Sequence, residues 1–373
     1  MDVVVVGGGV IGSAAARALA RAGERVTLLE ARRVGNDQGS SHGPSRVIRL
    51  AYDGADYVAL ARAAYAAWDE LAATVGETLR VQTGGLDVGV PEAREMAGIA
   101  ATYAATGVPW ERLDRDEIVR RHPMFNPPEG SIGLWQPDYA LLAADRCVQA
   151  LAADARANGA TLREGTTVRG VAADGAGVAV TTDQGTLRAD AAVVAAGSWL
   201  GPLVAPLGVD LPLTVRQEQF AHFRPADPAA CVPGRMPLVL NRFPGTRTLG
   251  AFFPMLADEG VKVIVDRVGP VVAPENPSRA IDPDLLARNV AYAHAFMPSL
   301  GEVVQTVSCR YTLTPSEDFI LDTLPGAPQV VVAAACSGHG FKFAPVIGEI
   351  LAGLATGRPS ALPGERFRLA NFV

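Results

Sequence analysis

The first thirty residues switch between two apolar patterns. Val3 to Val6 is an unbroken β-branched run of the kind carried by a parallel strand buried on both faces. Val10 to Ala22 is rich in strong helix formers, and Arg25 to Leu29 returns to a strand pattern. A β-α-β unit therefore opens the chain. Ala55 to Val75 predicts a long helix, with Val58, Leu60, Ala61, Ala64 and Trp68 near helical spacing. Leu79 to Val90 predicts strands; Pro91 to Thr106, Asp114 to Arg121 and Leu141 to Asn158 predict helices. From Val168 the pattern shortens, and Gly170 to Thr182 and Leu187 to Ala195 read as a meander feeding back into the main sheet. Pro212 to Thr306 is richer in proline and aromatic residues, with mixed signals. Gln329 to Ala355 closes the pattern with a strand (Val330 to Ala334), a glycine turn (Ser337 to Gly340) and a helix to about Leu354.

A chain of 373 residues exceeds one hydrophobic core, so two domains are expected. The chain starts and finishes in nucleotide-binding patterns, which places the second domain as an insertion. We expect 1–78, 141–210 and 305–373 to form the nucleotide-binding domain, and 79–140 and 211–304 the substrate domain. With 49% hydrophobic residues, 19% charged residues and a net charge of −6, the composition gives no electrostatic footprint for nucleic acid or an anionic membrane. A small-molecule substrate is the better expectation. Cys147, Cys231, Cys309 and Cys336 show no metal-binding spacing, so no metal is expected and a reducing compartment, the cytoplasm, suits them. Met-Asp leads directly into a strand without a basic n-region, so no signal peptide is expected. Ala191 to Val209 is free of charge, but Gly197, Gly201, Pro202, Pro206 and Gly208 break it as they would a strand and loop, not a membrane span.

Gly7-Gly8-Gly9-Val10-Ile11-Gly12 fits G-x-G-x-x-G between a strand and a helix. Gly7 makes the tight turn, Gly9 admits a pyrophosphate to the backbone, and Gly12 allows close packing at the helix N-terminus. Glu30 ends the second strand, where an acceptor for ribose hydroxyls belongs; it disfavours a 2′-phosphate and fits NAD or FAD. A second glycine-rich turn, Ser337 to Lys342, favours a flavin, because the helix that follows aims its positive end at charge developing on reduction. Only two of the 33 basic residues are lysines, Lys262 and Lys342. Lys is a compact charge whose pKa moves readily on burial, so both are candidates for chemistry. Lys262 lies in an apolar strand pattern, where an unpaired ammonium is costly.

Four segments together resemble the amine-oxidising branch of the D-amino-acid oxidase superfamily, most closely the monomeric sarcosine oxidase and N-methyltryptophan oxidase family. They are the Gly7 to Gly12 loop, Gly39-Ser-Ser-His-Gly-Pro-Ser-Arg-Val-Ile-Arg49, Cys309-Arg-Tyr-Thr-Leu-Thr-Pro315 and Ser337-Gly-His-Gly-Phe-Lys-Phe343. Arg121-His122-Pro123 and Ala195 to Trp199 give weaker support. The resemblance implies an α/β fold with a Rossmann-like FAD-binding domain and an interleaved α+β substrate domain on a mostly antiparallel sheet. It implies that Cys309 joins the flavin 8α carbon through a thioether; Arg310 beside it would favour the thiolate, whereas Cys336 reads as core. Ser41, His42, Arg46, Val168, Gly197, Gly338 and Gly340 would contact the cofactor. His339 either faces the flavin or is a loop residue whose ring bonds the main chain. Arg49 and Lys342 would grip a substrate carboxylate, Lys262 would activate O2, and Tyr311 would be a pocket wall or hydroxyl donor.

Two positions depart from the family, Ala251 for a Tyr and Asp266 for a His. Together they imply a roomier pocket with an added acceptor at Asp266. The function implied is a monomeric FAD-dependent oxidase of a carboxylate-bearing secondary or cyclic amine, releasing hydrogen peroxide. Alternatives are an oxidase of cyclic imino acids or glycated amino acids, and a dehydrogenase that passes electrons to a protein.

Overall fold

Six strands build the sheet that carries the N-terminal β-α-β unit. In the computed structural model, which describes residues 1–242, 248–276, 279–358 and 360–372, their order is Ile320–Leu324, Ala327–Ala334, Ala191–Val194, Asp2–Val6, Arg25–Glu30 and Thr161–Glu164. All neighbours run parallel except the hairpin of the first two. Parallel strands need both faces covered, which is why Val3 to Val6 and Ala191 to Val194 are buried throughout. Helix Val10–Arg21 covers one face, packed between Ala144–Ala157 and Ala344–Thr356. A Cβ on Gly348 would lie 2.5 Å from Ala14 O, so glycine permits the close approach of two of these helices. The meander covers the other face as the antiparallel strands Val168–Asp174, Gly177–Thr182 and Gly185–Ala189.

The opening unit, the helix Ala55–Val75 and the closing strand-turn-helix lie where the pattern predicts them. Leu141 to Asn158 does not form one helix: Ala140–Ala143 is a strand, and the helix is Ala144–Ala157. The strand forms because Ser45–Ile48 and Arg80–Gln82 pair with it on either side, a tertiary partnership that local helix propensity does not register. Within the charge-free stretch, Gly197 adopts φ +55° and short helical turns follow through Leu207. No described helix is long and apolar enough to cross a membrane.

The second large sheet has eight strands, in the order Leu300–Leu313, Thr214–Pro225, Val261–Val265, Leu249–Phe253, Leu238–Arg242, Gly85–Gly89, Ile132–Gln136 and Glu111–Asp114. Every neighbouring pair is antiparallel except Leu238–Arg242 with Gly85–Gly89. Residues 243–247 and 277–278 of the Pro212 to Thr306 stretch lie outside the described residues. Alternation sorts its side chains onto two faces. Ala221, Phe252, Val261 and Val263 pack with Phe296 of helix Pro283–Phe296. Phe220, Phe253, Lys262 and Ile264 point the other way, into the space shared with the six-stranded sheet.

Candidate active site

Between the first strand and first helix the main chain leaves an open cradle. Gly7 adopts φ +102°, and a Cβ there would lie 2.6 Å from Ala195 O; a Cβ on Gly12 would fall 1.8 Å from Gly7 O. Any side chain at either place would push the turn apart. The cradle presents helix N–H groups, which favour an anion. Ser41 Oγ accepts from Val10 N at 3.1 Å, fastening the 39–46 loop to it. Glu30 is fixed by main-chain donors: Oε2 accepts from Gly8 N at 2.8 Å and Oε1 from Arg32 N at 2.9 Å.

One cavity of about 900 Å³ begins at this cradle and reaches the eight-stranded sheet. Gly7, Gly9, Glu30, Ser41, Val168 and Gly197 are on its wall. So are Arg46, Lys262, Cys309 and Tyr311, together with Gly338, His339, Gly340 and Lys342 of the second glycine turn. Gly12, His42, Arg49 and Asp266 are not. Gly12 acts through packing, as its close approach to Gly7 requires. His42 is buried behind the wall, its Nε2 accepting from Arg279 Nη2 at 3.0 Å. Burial, with the charges of Arg46 and Arg279, pulls its pKa down to about 4.

Lys262 is buried, and its Nζ donates to Ser45 O at 3.0 Å. The ammonium lies 4.3 Å from the Phe220 ring centre and 4.5 Å from that of Phe253, so two aromatic faces help hold the charge. Burial nevertheless draws its pKa well below the ordinary lysine value; Arg46 adds to this, and Cys309, Asp145 and Glu259 oppose it. Arg46 is tied by its own main chain, with Nη2 donating to Ser40 O at 2.9 Å and His42 O at 2.8 Å.

Burial pushes the Cys309 thiol up to about 12, and the cations that draw it back are Arg46 and Lys262. Arg310 does not face it. One step along a strand turns a side chain to the other face, and Arg310 donates instead to the carbonyls of Pro274 and Asn276 beside the Trp199 ring. Cys336 is not core: it is half-buried and on the cavity wall.

Around Tyr52 the second glycine turn and the 45–52 segment meet. Lys342 Nζ donates to Tyr52 Oη at 3.0 Å and to His339 O at 2.5 Å. His339 Nε2 donates to Glu317 O at 3.0 Å, leaving Nδ1 to accept from the Tyr52 hydroxyl at 3.2 Å. Burial first, then Lys342, holds the imidazole pKa well below its usual value, which agrees with that neutral tautomer. His339 therefore both reaches the cavity and bonds the main chain, at Glu317. The Arg49 guanidinium stacks 4.4 Å over the Tyr52 ring. It is buried, and its Nε and Nη1 have no partner among the described residues. Burial opposes that charge, but Tyr52, Tyr139 and Asp87 outweigh it and raise the Arg49 pKa. Two cations thus share one tyrosine.

Asp266 is already engaged: Oδ1 accepts from Leu249 N at 2.9 Å and Oδ2 pairs with Arg267 Nη1 at 2.5 Å. A buried carboxylate held by its neighbours does not offer the free acceptor expected at this position. Arg267, which the sequence does not mark out, also forms a fork with Glu317 at 3.0 and 2.9 Å. Its guanidinium lies close to Gly338, whose φ of +74° and approach to Tyr311 leave no space for a Cβ. Tyr52 carried no motif signal either, since its importance comes from Lys342 and His339, distant along the chain, meeting on its hydroxyl. His122 is remote from these groups, stacked on Trp135.

A family model described as FAD dependent oxidoreductase matches residues 2–354. N-methyl-L-tryptophan oxidase of Salmonella agona (strain SL483) is 33% identical over 376 residues, covering 100% of this chain and 99% of that protein. Among solved structures, the open form of NikD, an unusual amino acid oxidase essential for nikkomycin biosynthesis, is similar with a TM-score of 0.87 at 30% identity, covering 98% of this chain and 96% of that one. L-proline dehydrogenase from P. horikoshii shares the fold, with a TM-score of 0.85 at 23% identity over 98% of this chain and 96% of that one.

Proposed function

The chain belongs to the FAD-dependent oxidoreductases of the DAO family, and we propose that it oxidises a carboxylate-bearing secondary or cyclic amine with O2, releasing hydrogen peroxide. The reading rests on one observation: the glycine cradle, Glu30, Lys262, Cys309 and Lys342 all open onto a single cavity. That cavity suits FAD in chemistry and in size. The cradle would take the pyrophosphate, Glu30 the ribose hydroxyls, and a volume of about 900 Å³ is near the upper end of small-molecule sites. Segments 1–78, 141–210 and 305–373 would hold the cofactor, with 79–140 and 211–304 closing over the substrate.

When bound, FAD accepts a hydride equivalent from the carbon beside nitrogen and passes the electrons on to dioxygen. The chain's own groups hold the reactants. Arg49 and Lys342 would bind the substrate carboxylate, Lys342 from the cavity wall and Arg49 from behind it, where its Nε and Nη1 donors have no described partner. Fixing the carboxylate sets the reacting C–H bond in place, and orientation supplies much of the rate. Lys262 gives the first reduced oxygen species, an anion, a fixed cation in a dry setting. Cys309, whose thiol burial raises and Arg46 and Lys262 partly draw back, would carry the covalent link to the 8α carbon, the place the resemblance gives it. Asp266 would act indirectly, by holding Arg267 near Tyr311. Four cysteines outside any disulfide fit a cytoplasmic enzyme, which we take to be monomeric.

A cyclic or glycated amino acid is the second reading within this class. Ala251 favours it, since a small side chain is paired with Ile264 on the cavity-facing side of the sheet. The test is acid precipitation of the yellow protein, then a panel of N-methyl, cyclic and glycated amino acids with peroxide detection. Colour retained in the pellet, but lost in Cys309→Ser, supports the thioether. Rapid anaerobic bleaching by an amine followed by slow oxygen turnover would favour a dehydrogenase. Bleaching that needs NAD(P)H instead of an amine would overturn the proposal.

A further inference from the structure

On its cavity-facing side the eight-stranded sheet aligns Phe253, Lys262, His222 and Gln305, one residue from each of four adjacent strands. Side chains opposite one another in an antiparallel ladder project to the same side, with Cβ atoms roughly 5 Å apart. Lys262 is on the cavity wall, His222 is fully buried, and Gln305 is exposed on the edge strand. Three residues therefore lead from the cavity to solvent. Neither ring nitrogen of His222 makes a hydrogen bond of good geometry among the described residues, and the nearest polar groups are the main chain of Gly260 and Glu259. A buried imidazole with only loose main-chain contacts is an expensive way to fill space, and Phe220, two residues earlier on the same face, fills its position without that cost. The ladder is also irregular here. His222 pairs with Gln305 but Phe223 pairs with Val303, so Val304 is an extra residue, and bulges of this kind re-aim side chains near active sites.

We infer that Lys262, His222 and Gln305 form a proton path, joined directly or through water, that resupplies the lysine from solvent while oxygen is reduced in the cavity. The inference rests on the oxidase reading above. Oxidation of the neutral amine removes a hydride equivalent from carbon and a proton from nitrogen. Each O2 leaves as H2O2 with two electrons and two protons. One proton accompanies the hydride equivalent, and the other comes from the Lys262 ammonium, which must then be reprotonated. His222 takes a proton on one nitrogen as it releases one from the other. Burial and the Lys262 charge pull its pKa down to about 4, against the main chain of Gly260 and Glu259 and the Glu259 charge, so it rests neutral with a lone pair to offer. Lys262 and Glu259 are the charged groups facing it; Arg46, Cys309, Asp145 and Glu259 face the lysine.

The test uses holoenzyme whose flavin has been reduced with dithionite, mixed with oxygenated buffer in H2O and in D2O over a pH series. His222→Phe should slow reoxidation about tenfold or more, raise the solvent isotope effect and make the rate fall at lower pH than in the wild type. His222→Gln, which can still donate and accept, should recover much of the rate. Gln305→Leu, at an exposed position that tolerates change, should raise the isotope effect by itself. In 15N-labelled protein the His222 ring proton should exchange rapidly with solvent despite its burial. Equal slowing in the Phe and Gln variants with an unchanged isotope effect, or a ring proton protected for hours, would overturn the path and leave His222 a packing residue. Because dithionite replaces the amine, a failed substrate assignment leaves these measurements standing; a wild-type flavin that oxygen oxidises only slowly overturns both readings.

Discussion

The glycine cradle and the cavity-facing side of the eight-stranded sheet are both suited to hold charge, and they do so by opposite means. The cradle uses main chain: its shape follows from missing side chains at Gly7 and Gly12, and both Glu30 oxygens accept from main-chain N–H groups. The sheet uses side chains withdrawn from water. Lys262 has one main-chain acceptor and two aromatic faces, and behind the wall Arg49 keeps two unpartnered donors. A site built from main chain can be complete before its ligand arrives, whereas desolvated cations are held at a cost that the reactants relieve.

That contrast predicts a ranking of substitutions. The largest effect belongs to Gly12→Ala, since a Cβ 1.8 Å from Gly7 O would displace the turn itself; the ratio of flavin to protein absorbance should fall to near zero. Full flavin content in that variant would break the comparison at its main-chain end. Next is Lys262→Met, which should keep its flavin but reoxidise ~10²–10³-fold more slowly, the scale of losing one preorganised electrostatic group. Stopped-flow mixing with O2 checks it, and an unchanged rate would refute the lysine's assignment.

Glu218 probes the same face through stability. It lies opposite Cys309 in the ladder, fully buried, and burial followed by the Asp266 charge pushes its pKa up to about 7. An acid whose folded pKa exceeds its unfolded value binds the extra proton in the fold. Stability should therefore drop as pH rises from the ordinary glutamate range through about 7, by on the order of 3 kcal/mol in all. Urea unfolding over that range should show the drop in the wild type, and Glu218→Gln should abolish it. The smallest effect belongs to Arg224→Ala, on the same strand but paired with Glu302 in solvent, with both side chains more than half exposed. It should cost less than about 1 kcal/mol, measured as a shift in urea midpoint.

The same division explains what the sequence disclosed. The β-α-β opening, Glu30 and both glycine turns were legible because their constraints are local: a strand run, a forbidden Cβ, a helix start. Lys262, Cys309 and Lys342 were singled out by rarity and resemblance, and all three reach the cavity. What could not be read is set by partners distant along the chain. Asp266 pairs with its neighbour Arg267, yet only the fork to Glu317 fixes where that guanidinium lies. Arg310 follows Cys309 directly, and the alternation of a strand not assigned from sequence turns it away. The strand Ser45–Ile48, which carries Arg46, exists because Ala140–Ala143 pairs with it.

The extra residue at Val304 also bears on how this enzyme can change over evolutionary time. Cys309 and Tyr311 reach the cavity because an even number of positions separates them along one strand, so a single-residue insertion or deletion between Gln305 and Cys309 would exchange the thiol for Ser308 or Arg310. On the solvent side of Val304 the ladder already accommodates one unmatched residue and can absorb another. Length variation among descendants of this chain should therefore gather before Val304 and be absent after it.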